Sequence, residues 1–362
     1  MRMKVVFIIP NVIDSHYRNR ILDFMHEGCY VEVYAFQRGA SVSIGDLPYP
    51  FHIIGSITNA NYTNRINTYV REFRKIGKKY GNKAVYFLGG LDIAIFFHFL
   101  NPTLKYIFEE CDMVHLYHRS IITPILERIS KYIIRHSVAT ITTSEGFMKY
   151  HYGNYWPSNV ILVANKLNNE ILNCPPLPKK TFNPNHISIG FVGVPRSITN
   201  YLFIDYFCKN YPQHSFHIFG APLSIEFEQL KKYDNCLFHG RFKNPEDLPM
   251  IYSKIDALLC AYDYHNENNA YAEPNKLYEA IYFEKPFIVS SHTFLGEKVK
   301  RLGIGLEVDC YKEEDIKRLI TVLTEENISA MQHNAHSLDK NMAINNSKYV
   351  HYIFKQYEEN TK

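Results

Sequence analysis

The chain lacks the markers of several protein classes. Its 362 residues hold seven cysteines, at 29, 111, 174, 208, 236, 260 and 310, and no two of them form a C-x-x-C pair. An odd, scattered set fits a reducing compartment, with cysteine used as a small core residue. No apolar run is long enough to span a bilayer, and residues 5–9 are too short for a signal-peptide core. The expected location is therefore cytoplasmic, soluble or peripheral on the inner face of the plasma membrane. Charge of one sign is also missing: 40 Lys and Arg against 36 Asp and Glu leave a formal net charge of +4. That mild balance argues against a dedicated nucleic-acid binder.

What is present is apolar, and it repeats. The length suits two domains of ordinary size. Lys4-Val-Val-Phe-Ile-Ile9 reads as a central parallel strand, and further strands are expected over 30–36, 51–54, 84–88, 105–109, 138–142 and 159–163. Helical spacing fills the gaps. Residues 167–186 break the alternation with asparagine and proline, a linker composition. It then restarts with strands over 186–192, 214–219, 236–239, 255–260, 287–290 and 306–308. The expected fold is α/β. An N-terminal doubly wound domain covers 1–166, a linker 167–186 and a second such domain 187–345, with a closing helix over 346–362 crossing back to the first. Sheets of this kind bind ligands at the carboxyl ends of their strands, so a ligand is expected in a cleft between the halves.

Two stretches stand out chemically. The helix over 62–80 turns Ile66, Tyr69, Val70, Phe73, Ile76 and Tyr80 to one side. The other side carries Arg65, Arg71, Arg74, Lys75, Lys78 and Lys79 against the single acid Glu72. This is either a solvated face or a contact with an anionic membrane surface. The second stretch is Ala272-Glu273-Pro274-Asn275-Lys276-Leu277-Tyr278-Glu279-Ala280-Ile281. Pro274 suits a first helical position, and Asn275 and Lys276 fall in the first turn, beside free N–H groups that favour anions. Lys276 and Glu279 lie three apart on one face, within reach of one ligand. A phosphate for the cation and a diol for the carboxylate describe a nucleotide sugar; an ordinary surface Lys–Glu pair is the alternative.

The second half resembles glycosyltransferase family 4. The features that carry the likeness occur in order over about residues 187–310: Ile-Gly-Phe-Val-Gly193, His-Ile-Phe-Gly220, Phe-His-Gly240-Arg241, Ile-Asp256-Ala-Leu-Leu, Pro-Asn-Lys-Leu-Tyr-Glu279-Ala and Lys-Pro286-Phe-Ile-Val-Ser. In the first half, Phe108-Glu109-Glu110-Cys111-Asp112, Ile141-Thr-Thr-Ser144-Glu145 and Ile161-Leu-Val-Ala-Asn165-Lys166 match more weakly. The resemblance implies the GT-B fold of two Rossmann-like domains and retaining transfer of a sugar from a UDP- or GDP-sugar. The acceptor would be a glycan or a polyprenyl-lipid-linked saccharide, in surface polysaccharide synthesis. By position, Glu279 would bind the donor ribose, and Leu277 and Asn275 would lie beside it. Gly193 would admit the phosphates. Gly220 and Arg241 would bound the base pocket, and Arg196 and Lys276 would neutralise the diphosphate as it leaves.

The chain also departs from the pattern. Many relatives carry two glutamates eight apart, whereas Tyr271 lies eight before Glu279. Val194 follows Gly193 where relatives carry Arg, and no glycine-rich turn follows the first strand. No Asp-x-Asp occurs, which with Arg196 and Lys276 present favours a metal-independent mechanism; no cofactor is expected beyond the UDP- or GDP-sugar donor. Asp112 is the preferred catalytic residue on the acceptor side, and His16 and His118 are candidates to position the acceptor hydroxyl. Two alternatives stay open: a non-catalytic nucleotide- or sugar-binding subunit, and another GT-B enzyme such as a sugar-nucleotide epimerase.

Overall fold

A computed structural model describes residues 3–38, 47–57, 62–117, 120–176 and 180–359. The chain divides into two compact units, Met1–Ala164 with Asn346–Lys362, and Asn165–Asn345. The segment expected to be a linker belongs to the second unit, where Leu167 forms an isolated parallel bridge with Ile344.

The first unit is built on seven parallel strands: β1 (Lys4–Ile9), β2 (Tyr30–Arg38), β3 (Phe51–Ile57), β4 (Val85–Gly89), β5 (Tyr106–Glu110), β6 (Ala139–Thr142) and β7 (Val160–Leu162). Their order is β3-β2-β1-β4-β5-β6-β7, so the winding direction reverses between β1 and β4. β1 and β4 read as apolar runs, and β5 is buried along its whole length, because helices cover both faces of the sheet. On one face Val5, Phe7 and Ile9 pack with Ile21 and Phe24 of the helix Ser15–His26, and with Val350 and Ile353 of the closing helix Lys348–Glu359. The Tyr349 hydroxyl donates to Asp23 at 2.8 Å. The closing helix thus belongs to the first unit's core, far in sequence from the rest of it.

The second unit repeats the design with β8 (Ser188–Val192), β9 (Ser215–Phe219), β10 (Cys236–Gly240), β11 (Ala257–Cys260), β12 (Phe287–Ser290) and β13 (Gly305–Val308). Their order is β10-β9-β8-β11-β12-β13, all parallel, with the reversal between β8 and β11. Phe203, Ile204 and Phe207 from one helix and Ile316 and Leu319 from another close its core against β8, β9 and β11.

Four local features bear on the motifs and their surroundings. The helix after the second motif runs Asn275–Tyr282, and Pro274 is its N-cap in extended conformation, not its first residue. The polar loop before it contains a short helix, Glu267–Tyr271, started by the Asn266 side chain, which accepts from Asn269 N. The helix beginning at Glu313 stops at Thr321, and a second one, Glu325–Ser337, starts on a Thr324 cap. Ile121 and Ile122 precede the helix Thr123–His136 and Ile125 lies in its first turn; the three are exposed at 95%, 52% and 53%.

Candidate functional site

At the reversal point of the second sheet, the ends of β8 and β9 are pressed together. Gly193 N donates to Phe219 O at 2.8 Å. Gly220 has φ +150, and a Cβ there would lie 1.8 Å from the Gly193 carbonyl oxygen. Gly193 has φ +133, and a Cβ on it would lie 3.9 Å from Lys276 Cε. Both positions therefore need glycine, for backbone conformation and, at Gly220, for contact between two peptides. Beyond β11, Ala261 is held at both polar ends: its N–H donates to Asn200 Oδ1 at 2.9 Å, and its carbonyl accepts from Thr199 Oγ1 at 2.6 Å.

The helix Asn275–Tyr282 brings the predicted cation and carboxylate to this edge. Lys276 Nζ lies 2.5 Å from Glu279 Oε1. The other carboxylate oxygen accepts from the Tyr252 hydroxyl, also at 2.5 Å. Glu279 is 1% exposed and Lys276 9%. Burial, and then the neighbouring Glu279 carboxylate, push the Tyr252 hydroxyl well above its ordinary pKa. Leu277 is fully buried, so only its backbone is available to a ligand, and Asn275 is exposed at the helix start. Arg196 and Arg241 are exposed on the segments after β8 and β10, and no ion pair holds either among the described residues. The structure thus gathers Gly193, Gly220, Lys276 and Glu279.

The sequence reading missed two parts of this centre. Tyr252 is one, since no periodicity links it to Glu279 across 27 positions. The other is the role of Glu273. It is 4% exposed, accepts from the Tyr278 hydroxyl and pairs with Lys298 Nζ at 2.5 Å. Both oxygens of Glu273 are thereby engaged inside the unit. Lys166 lies 5.8 Å from the Tyr278 ring centroid, and burial lowers its pKa despite Glu273.

The comparisons with known proteins concern this half most directly. Residues 203–342 match the family model for group 1 glycosyl transferases. That span contains Gly220, Arg241 and the whole helix Asn275–Tyr282. Solved structures match over nearly the full chain. Sucrose-phosphate synthase from Thermosynechococcus elongatus superposes with a TM-score of 0.72 at 13% identity, covering 99% of this chain and 100% of that one. Anabaena HepE, solved in complex with UDP-glucose, gives 0.70 at 11% identity, covering 99% and 100%. WaaG, a glycosyltransferase of lipopolysaccharide biosynthesis, gives 0.60 at 12% identity over 93% and 96%. The fold is GT-B. The comparison with curated protein sequences finds no match.

In the first unit of this GT-B fold, the strand ends after β1 and β5 carry a second polar cluster. Asp14 caps the helix Ser15–His26 by accepting from His16 N at 2.9 Å. That places His16 Nε2 3.0 Å from Glu109 Oε1 and 3.2 Å from Cys111 Sγ. Arg20 Nε donates to the same Glu109 oxygen at 2.7 Å, and its Nη2 donates to Val163 O at 2.6 Å. Burial alone would raise the Glu109 carboxyl, but His16 and Arg20 outweigh it and hold it at about 2. Burial works against the His16 imidazolium too, and its contacts with Cys111 and Glu109 keep its pKa well above the ordinary value. The nitrogen, oxygen and sulfur of His16, Glu109 and Cys111 lie within 4.8 Å of one another, a spacing a metal ion would also fit. Arg20 already supplies a counter-charge to that carboxylate. Asp112 follows β5 and is exposed, next to this cluster in sequence, while His118 lies outside the described residues.

Proposed function

We propose that the chain is a retaining glycosyltransferase that moves a sugar from a nucleotide-diphosphate sugar to a hydroxyl of a glycan or lipid-linked acceptor. It would act without a metal, in surface polysaccharide synthesis. The observation that carries this reading is the buried Lys276–Glu279–Tyr252 centre beside the Gly193–Gly220 peptide contact. It lies at the reversal point of a doubly wound sheet, where such folds bind nucleotides, and its helix is inside the segment that matches group 1 glycosyl transferases.

The chemistry follows from the pairing. Lys276 and Glu279 satisfy one another, and a nucleotide sugar offers a partner to each. The diphosphate would draw Lys276 away, leaving Glu279 Oε1 to accept from a ribose hydroxyl while Tyr252 keeps Oε2 in place. Gly193 and Gly220 put backbone, with no side chain, against the phosphates. Arg196 is free to add a second cation. As the bond from the anomeric carbon to the phosphate oxygen breaks, the two cations stabilise the departing nucleoside diphosphate. The acceptor proton passes to that phosphate as the new glycosidic bond forms on the same face. Asp112 and His16 would orient the acceptor hydroxyl.

The proposed membrane association rests on the first unit. Arg71, Arg74, Lys75, Lys78 and Lys79 are exposed on the helix Tyr62–Tyr80. Arg71 and Lys75 share Glu72, and Lys79 pairs with Glu32. Exposed Ile121, Ile122 and Ile125 of the same unit supply apolar contact to go with the charge. No helix of the described residues is long and apolar enough to cross a membrane.

Because HepE has been solved with UDP-glucose, a uridine donor is the first to try. The test is thermal shift with UDP, GDP, ADP and CMP on the wild type and on Glu279→Gln. Stabilisation by one nucleotide, lost in the variant, supports the reading. No shift with any of them at millimolar concentration refutes it.

A further inference from the structure

The second unit carries another pocket, at the opposite edge of its sheet from Gly193, where β11 and β12 begin. Its volume is about 670 Å³, within the range of small-molecule sites. Cys174, Pro175, Lys180, Tyr282, Lys285 and Lys340 are among its lining residues. Two of its three lysines are neutralised. Lys180 Nζ lies 2.9 Å from Asp256 Oδ1, and Lys340 Nζ lies 2.5 Å from Glu284 Oε1, which His336 also contacts at 2.9 Å.

Lys285 differs. It is 6% exposed, and its ammonium donates to the Ile255 carbonyl at 3.0 Å. No carboxylate among the described residues stands within ion-pair distance of it. A buried ammonium without a counter-ion is costly, and it is stabilised by any anion that reaches it. Burial accordingly lowers the Lys285 pKa to about 8, despite the field of Asp256. The pocket wall therefore carries one cation more than its carboxylates balance, with an aromatic ring and prolines beside it.

We propose that this cavity binds a small phosphorylated molecule, with its phosphate on Lys285, Lys180 and Lys340 flanking it, and its body against Tyr282 and Pro175. The site lies at the start of the strands, away from the nucleotide-sugar centre proposed at their ends. It is thus an effector site rather than part of the transfer chemistry, and it does not depend on the glycosyltransferase reading.

Pyridoxal 5′-phosphate is a suitable probe, because it carries both a phosphate and an amine-reactive aldehyde. The Lys285 amine adds to the aldehyde with loss of water, and borohydride reduces the imine to a stable secondary amine. At limiting reagent, peptide mapping of the full chain should find the label at Lys285 ahead of every other lysine. Inorganic phosphate should protect that position. Phosphate should also raise the melting temperature of the wild type, of Glu279→Gln and of Lys285→Arg, which keeps the cation, but not of Lys285→Met. Tyr282→Ala, which leaves the amine in place, should slow labelling at Lys285. Labelling spread over exposed lysines without phosphate protection would overturn the proposal. So would an equal phosphate shift in Lys285→Met.

Discussion

Replacing Glu279 with alanine tests the physical core of the proposed donor site, independently of any ligand. The change removes both acceptors from a buried pair and leaves the Lys276 ammonium, 9% exposed, facing no carboxylate. The Tyr252 hydroxyl, fully buried, loses its partner as well. Breaking a buried ion pair from one side costs about 3–5 kcal/mol. For a unit of this size each kcal/mol shifts Tm by about 2–4 °C, so the expected fall is about 6–20 °C. Removing both charges together, in Lys276→Met with Glu279→Gln, leaves no orphaned ion and keeps an acceptor for Tyr252. The double variant should recover at least half of the loss, a coupling of about 2 kcal/mol between positions in direct contact. Thermal unfolding followed by circular dichroism, with the wild type, Glu279→Ala, Lys276→Met, Glu279→Gln and the double variant side by side, gives the numbers. A fall of less than about 3 °C in Glu279→Ala, or simple additivity in the double variant, would refute the burial argument.

Four further outcomes follow from other parts of the molecule. Gly220→Ala would put a methyl 1.8 Å from the Gly193 carbonyl; overpacking should destabilise the second unit by about 1–3 kcal/mol and weaken nucleotide binding, both readable in one thermal-shift series. Glu109 has a folded pKa of about 2 against an ordinary 4.5. Its contribution, about 3 kcal/mol, is complete above pH 4.5 and is lost as pH falls through about 2, so Glu109→Gln should remove that part of the acid dependence in pH-resolved unfolding. His16 runs the other way: its raised pKa gives stability that is present at acid pH and lost as pH rises through the folded value, and His16→Gln should flatten that alkaline limb. Co-sedimentation with vesicles rich in phosphatidylglycerol should fall in an Ile121→Glu, Ile125→Glu variant and in an Arg74→Glu, Lys78→Glu variant; binding unchanged in both would remove the membrane surface from the account.

Much of this was legible in the chain itself. Continuous apolar runs such as Val5–Ile9 are typical of strands covered on both faces, and their alternation with helical spacing pointed to two doubly wound sheets. Lys276 and Glu279 were legible because helix geometry fixes neighbours three apart. Contacts across the tertiary structure were not. Tyr252 reaches Glu279 from another helix, Lys298 reaches Glu273, and Arg20 and His16 converge on Glu109 from a helix that follows a different strand. Glu109 itself looked like the end of a strand, yet the strand runs on to Glu110 and both acids are buried. Nor does an apolar spacing show what covers it: Ile121, Ile122 and Ile125 fit a helical stripe and are exposed.

The most direct test of the central claim is release of nucleoside diphosphate from donor sugars, with UDP-glucose tried first. The account predicts slow release by the wild-type protein, without added metal and insensitive to EDTA, faster once an acceptor saccharide is supplied. Lys276→Met should lower the rate much further than it lowers stability at the assay temperature. If no UDP- or GDP-sugar is turned over, or if Lys276→Met turns over the donor as fast as the wild type, the second unit is not a catalytic donor site.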